Sequence, residues 1–237
     1  MTFIEALNSQ DLEKIRKFPK ADLHNHFVLG GSREYIFNKT GYKIKSITTP
    51  LKSMGEMDSW SSKYIGNHFN SPEGRKLLIE ATFAQAKFDG VTVLEIGEDV
   101  WGLGEFFDND IEKMIFCFQE ANARIAPEIE LRLQIGLSRH CSVDYLMNCL
   151  SHFWGHKEFY SIDLYGDELA QSIANFIPIY DKAAENGLVL KAHVGEWGTA
   201  KDIITAVELL HLNEVQHGIA AVQDENVIEY LIENNIR

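Results

Sequence analysis

The sequence is short of basic residues. Twenty-two lysines and arginines stand against 35 aspartates and glutamates, a net charge of −13. A surface of that sign offers no electrostatic footprint for a phosphate backbone, and no basic run interrupts it, so nucleic acid is excluded as the general partner. Long apolar runs are missing too. No window approaches the roughly 18 residues that a membrane span needs, and residues 1–20 mix charge with short apolar stretches rather than forming a signal-peptide core. The three cysteines, Cys117, Cys141 and Cys149, are odd in number and make no CxxC pair. They read as reduced thiols, with Cys117 and Cys149 as core residues of helical patterns. No GxGxxG follows a strand-like run, which counts against a dinucleotide-binding doubly wound sheet. These absences leave a cytoplasmic protein with no membrane as partner.

What is present is strand–helix alternation. Residues 2–18 read as a short amphipathic helix leading to Phe18-Pro19-Lys20, where Pro19 sets an extended entry to a strand at 21–27. Residues 29–70 form a long irregular stretch, expected to be a lid-like insertion or to carry small helices of its own. Ser71-Pro72-Glu73 is a helix start, with a hydroxyl cap, a proline at the first helical position and an acid in the first turn. Asp89-Gly90 stops that helix. Strands follow at 91–96, 129–137, 159–165, 188–194 and 214–218. Helices intervene at about 109–125, after Ser142, from Pro178 to Asn186-Gly187, around Ile203–Leu210 and after Asp224. Six strands alternating with helices predict parallel pairing with covering helices, and a (β/α)8 TIM-type barrel is the better reading. The expected organisation is a single barrel domain over 1–237.

The chemistry gathers at the predicted strand ends. His24 and His26 are two residues apart, so an extended segment turns both imidazoles to one side. His193 and Glu196 close the fifth strand, and His217 closes the sixth. In a barrel all of these face one mouth. Three imidazoles suit a catalytic zinc with an open position, a carboxylic acid at Glu196 is placed for proton traffic, and His217 can orient an attacking hydroxide. Asp167 and Glu168 are supporting candidates, or simple helix caps. His68, His140, His152, His156 and His211 have no partner at ligand spacing and read as ordinary loop or surface residues. Trp60, Phe69, Trp101 and Phe106 lie in connections, as pocket roof or as packing.

These residues also carry a resemblance. Phe18-Pro19-Lys20-Ala21-Asp22-Leu23-His24-Asn25-His26 looks like the opening PKxELHxH motif of the adenosine deaminase family. His193-Val194-Gly195-Glu196 is similar to its HxGE motif, His217-Gly218 to its GHG motif, and Asp163-Leu164-Tyr165-Gly166-Asp167-Glu168 to its DLxGDE segment. The resemblance implies a (β/α)8 zinc aminohydrolase acting on adenosine, adenine or a related 6-aminopurine through metal-activated hydroxide. It makes His24, His26 and His193 the zinc ligands, one ion per chain. Glu196 would protonate the purine ring nitrogen, His217 would position the hydroxide, and the Gly166 backbone would contact the purine.

Two departures qualify what the resemblance implies. The family follows HxH with Leu-Asp-Gly, whose Asp helps hold the sugar; here Val28 takes that position, and a valine accepts no hydroxyl hydrogen bond. The family also brings an aspartate ligand on strand eight, whereas this sequence stops at Arg237, where strand seven is due. The expectation is therefore a C-terminally truncated chain, with the fourth ligand beyond Arg237, or open barrel edges covered by an oligomer or a second polypeptide. Weak metal affinity and little activity from this chain alone would follow. The alternatives are another mononuclear amidohydrolase, one metal being favoured because no lysine ends strand four, and a catalytically silent barrel fragment.

Overall fold

The computed structural model describes residues 2–237. Six strands, β1 (Lys20–Asn25), β2 (Val91–Asp99), β3 (Glu130–Ser138), β4 (Phe159–Tyr165), β5 (Val189–Val194) and β6 (Glu214–His217), follow one another in sequence order across one sheet. The pairs β1–β2, β3–β4, β4–β5 and β5–β6 run parallel. Parallel neighbours need a crossover, and helices supply it. Sequential parallel order with alternating helices is the α/β arrangement of the (β/α)8 barrel class, here with six of its strands. The chain divides into two compact units, Met1–Ile96 with Glu112–Arg132, and Gly97–Ile111 with Leu133–Arg237, so that β2 and β3 each contribute residues to both.

The first unit is built on the helix Pro72–Asp89. Ser71 Oγ accepts the Gly74 N–H (3.1 Å), Pro72 occupies the first turn, and Gly90 ends the helix at φ +74°. That left-handed conformation suits glycine, and a Cβ there would run into the Arg16 carbonyl oxygen. The helix buries Leu78, Ile79, Ala81 and Phe83. It also holds the exit of β1, since Thr82 Oγ1 donates to the Phe27 carbonyl (3.2 Å) and the Arg75 guanidinium lies 4.9 Å from the Phe27 ring centroid. In the second unit β4, β5 and β6 are in register, with Asp163 beside Lys191 and His193 beside Gln216. The helices Ile177–Glu185 and Ala200–Leu210 bury Ile179, Tyr180, Ile203 and Val207.

Several sequence expectations need correction. Residues 2–18 are two helices, Phe3–Asn8 and Leu12–Arg16, because Gln10 turns to φ +53° and the Asp11 carboxylate accepts the N–H groups of Glu13 and Lys14, starting a new helix. The first strand stops at Asn25, and Phe27–Gly30 is a helical turn. Burial of Phe27 against Phe118, with ring centroids 5.9 Å apart, outweighs its preference for a strand. The stretch after it does carry small helices of its own, one of the two expectations for 29–70, at Arg33–Thr40, Met54–Ser61 and Asn67–Phe69, with a π-helical turn at Ser62–Gly66. Cys117 is buried as expected, whereas Cys149 is only half-buried. Phe69 and Phe106 are buried core residues.

Candidate functional site

In the first unit the sequence Asp22-Leu23-His24-Asn25-His26 is fixed by its own side chains. Asp22 accepts the His24 N–H at 3.4 Å and the Asn25 side-chain amide at 2.6 Å. Gly30 lies so close that a Cβ there would meet Asn25 Oδ1 at 2.8 Å. His24 is within β1, and His26, just beyond it, keeps an extended backbone (φ −97°, ψ 96°). Two-residue alternation therefore continues past the strand end, and the imidazole centroids lie 5.2 Å apart.

In the second unit His193 is buried on β5 (5% exposed), with Nδ1 3.2 Å from Asp163 Oδ1 on β4. An ionised carboxylate only accepts, so Nδ1 carries the proton and Nε2 is the nitrogen that has a lone pair. A carboxylate behind an imidazole is the outer-shell arrangement that orients metal-binding histidines, so the donor chemistry here fits zinc. Behind Asp163 runs a polar chain. Gln134 Nε2 donates to Asp163 Oδ2 (3.4 Å), the fully buried Lys191 donates to Gln134 Oε1 (3.2 Å), and Lys191 Nζ lies 3.8 Å from Glu214 Oε2. Arg237 Nη1 donates to the other Glu214 oxygen at 2.6 Å. Each buried charge in this chain faces an opposite charge or a matching polar group, as a buried charge must.

His217 stands beside His193, ring centroids 4.9 Å apart, and its Nε2 lies 3.3 Å from Glu196 Oε2. Burial holds the His217 imidazole below its ordinary pKa, His193 pushes the same way, and Glu196 opposes both. The Tyr165 ring lies 5.7 Å from His193, and burial together with Asp99 pushes its phenol up, so it keeps its proton. Gly166 follows at φ +91°, where a Cβ would lie 3.1 Å from His140 Nδ1 and 3.6 Å from Ser138 Oγ. Only glycine suits that backbone, and the face that a Cβ would occupy is turned toward His140 and Ser138.

Asp167 and Glu168 separate. Asp167 accepts the Leu169 N–H (2.9 Å) and closes a local turn. Glu168, 5% exposed, reaches the loop after β5 and accepts the backbone N–H groups of Gly195 (2.7 Å), Trp197 and Gly198. The structure thus brings His193, His217 and Glu196 together in one unit, with Glu168 on the Glu196 loop, and pairs His24 with His26 in the other. Sequence reasoning assigned no role to Asp163, Gln134 or Lys191. The available signal for Asp163 was an ionisable residue inside the apolar run Phe159–Tyr165, at a position that alternation turns toward one face.

A profile of the adenosine deaminase family matches residues 90–237. An adenine deaminase of Vibrio parahaemolyticus is 33% identical over 249 residues, covering 94% of this chain and 69% of that protein. Among solved structures, the adenine deaminase of Arthrobacter aurescens superposes with a TM-score of 0.69 at 23% identity, over 91% of this chain and 69% of the other. A zinc-bound amidohydrolase from Burkholderia ambifaria gives 0.73 at 18% identity, over 93% of this chain and 64% of the other.

Proposed function

Because this chain belongs to the adenosine deaminase family, hydrolases that act on a C–N bond, we propose that it deaminates a 6-aminopurine such as adenosine or adenine. Water replaces the exocyclic amine and ammonia leaves. Zinc would be held by His24, His26 and His193, a set supported by motif order and by the imidazole pairs within each unit. When bound, the ion supplies Lewis acidity that makes hydroxide available near pH 7. Asp163, paired with Nδ1 of His193, would leave Nε2 as the nitrogen that holds the ion. Glu196 carries a proton at its carboxyl oxygen and delivers it to the ring nitrogen that gains electron density during attack. His217, 3.3 Å from that carboxylate, directs the incoming water and passes its proton toward Glu196. The Gly166 peptide, following β4 beside His140, would donate to the purine. Reduced cysteines support a cytoplasmic setting, and no helix among the described residues is long and apolar enough to cross a membrane.

The observation that carries this reading is the contact between Glu196 and His217 beside the carboxylate-oriented His193. It is tested by ammonia release from adenosine and adenine, with metal analysis. Glu196→Gln is expected to lower kcat by at least about 100-fold, the usual worth of a positioned acid, while zinc content stays unchanged. Loss of zinc in that variant would reassign Glu196 to the metal, and no ammonia from either purine, with this chain or with any longer gene product, would overturn the reading.

A further inference from the structure

A general acid works only while its carboxyl group stays within hydrogen-bond reach of the atom it serves. Glu196 sits in a short loop, 195–198, between the end of β5 and the helix Ala200–Leu210. Such a loop has backbone N–H groups that neither strand nor helix satisfies. Glu168, from the turn after β4, accepts three of them. One oxygen takes the Gly195 N–H at 2.7 Å, and the other takes those of Trp197 and Gly198. The acid's two neighbours in the chain are therefore held by opposite oxygens of a single buried carboxylate.

The rest of the loop is equally constrained. Gly195 has φ +74°, and a Cβ there would meet Ile203 Cδ1 at 2.6 Å. The far end is closed by a capping box in which the Asp202 carboxylate accepts from the Thr199 backbone and hydroxyl, both at 2.7 Å. Arg139, itself buried, donates to the Gln171 carbonyl (2.8 and 3.0 Å) and supplies positive charge toward Glu168. A neutral amide cannot replace this arrangement, because one of its two ends donates and would face a donor.

We propose that Glu168 is the positioning residue for the proton-carrying Glu196, fixing the backbone direction from which that side chain reaches His217. This rests on the reading of Glu196 as the acid. Its test is a double-mutant cycle of Glu168→Gln and Glu196→Gln, followed by ammonia release from whichever of adenosine and adenine the wild type turns over faster. Glu168→Gln alone is expected to lower kcat by about 10- to 100-fold with KM within about threefold and zinc retained. In the Glu196→Gln background its further effect should fall below about threefold, since residues acting as one unit do not add. Glu168→Asp, which keeps two acceptor oxygens, should recover part of kcat. Equal penalties in both backgrounds, or wild-type kcat in Glu168→Gln, would overturn the proposal. Amide hydrogen exchange gives a readout that needs no turnover. Exchange over 195–198 should accelerate in Glu168→Gln while 159–165 stays protected; unchanged exchange in the loop, or equal loss in both segments, overturns the role of Glu168. Should neither this chain nor any longer gene product release ammonia, the functional reading fails while the loop comparison still decides the geometry.

Discussion

Asp163 decides which nitrogen of His193 is offered to a ligand. The carboxylate is fully buried and takes up the Nδ1 side, and its second oxygen is tied to Gln134. Asp163→Asn keeps the volume but presents an amide that can donate where it should accept, so His193 loses its orienting partner. Outer-shell changes of this kind reduce metal affinity by about 10- to 100-fold. Competition between the protein and a zinc chelator should show a loss of that size, and unchanged affinity would mean that Asp163 serves stability alone. The residue was within reach of sequence reasoning as an ionisable group in an apolar strand and as the first member of the DLxGDE-like segment; its partner, 30 residues away, was not.

Among the elements, the helix Pro72–Asp89 was legible almost in full, because its signals are local. Ser71, Pro72 and Gly90 act on backbone groups within a few residues. Ser71→Ala removes the acceptor for the Gly74 N–H and should cost about 1 kcal/mol in urea unfolding. The same helix meets Ile111–Ile125 through Lys76 and Glu120, 2.7 Å apart. Lys76 holds the Glu120 carboxyl below its ordinary value of 4.5. A depressed carboxyl contributes stability above its unfolded pKa and loses it as pH falls through the folded value. Lys76→Met should therefore lower the urea midpoint slightly at neutral pH, the effect being small because both side chains are well exposed, and the difference from wild type should vanish as pH falls below about 4.5. Strand β4 was also read at its true bounds, Phe159–Tyr165. The segments at 2–18 and 27–30 were misread because short amphipathic patterns are decided by a side-chain cap in one case and by burial of Phe27 in the other.

For the molecule as a whole, a bound metal should appear in stability as well as in turnover. A ligand that binds only the folded chain at 100 times its Kd stabilises by about 2.7 kcal/mol, or roughly 5–10 °C in Tm for a chain of this length. Zinc should raise the melting temperature of the apoprotein on that scale, and His193→Ala should abolish the rise; an equal rise in that variant would remove His193 from the ligand set. Taken by itself, the sequence determined the order of strands and helices, the caps that bound several of them, and the placing of the imidazoles and of Glu196 at or just past strand ends. Those depend on hydrogen bonds and side-chain periodicity over a handful of residues. Only the tertiary structure decided that Asp163 stands behind His193, that Lys191 and Gln134 continue that chain, and that Glu168 grips the loop of Glu196. A buried polar group takes whatever partner the folded backbone brings within about 3 Å, and nothing in the spacing of residues along the chain specifies which one that is.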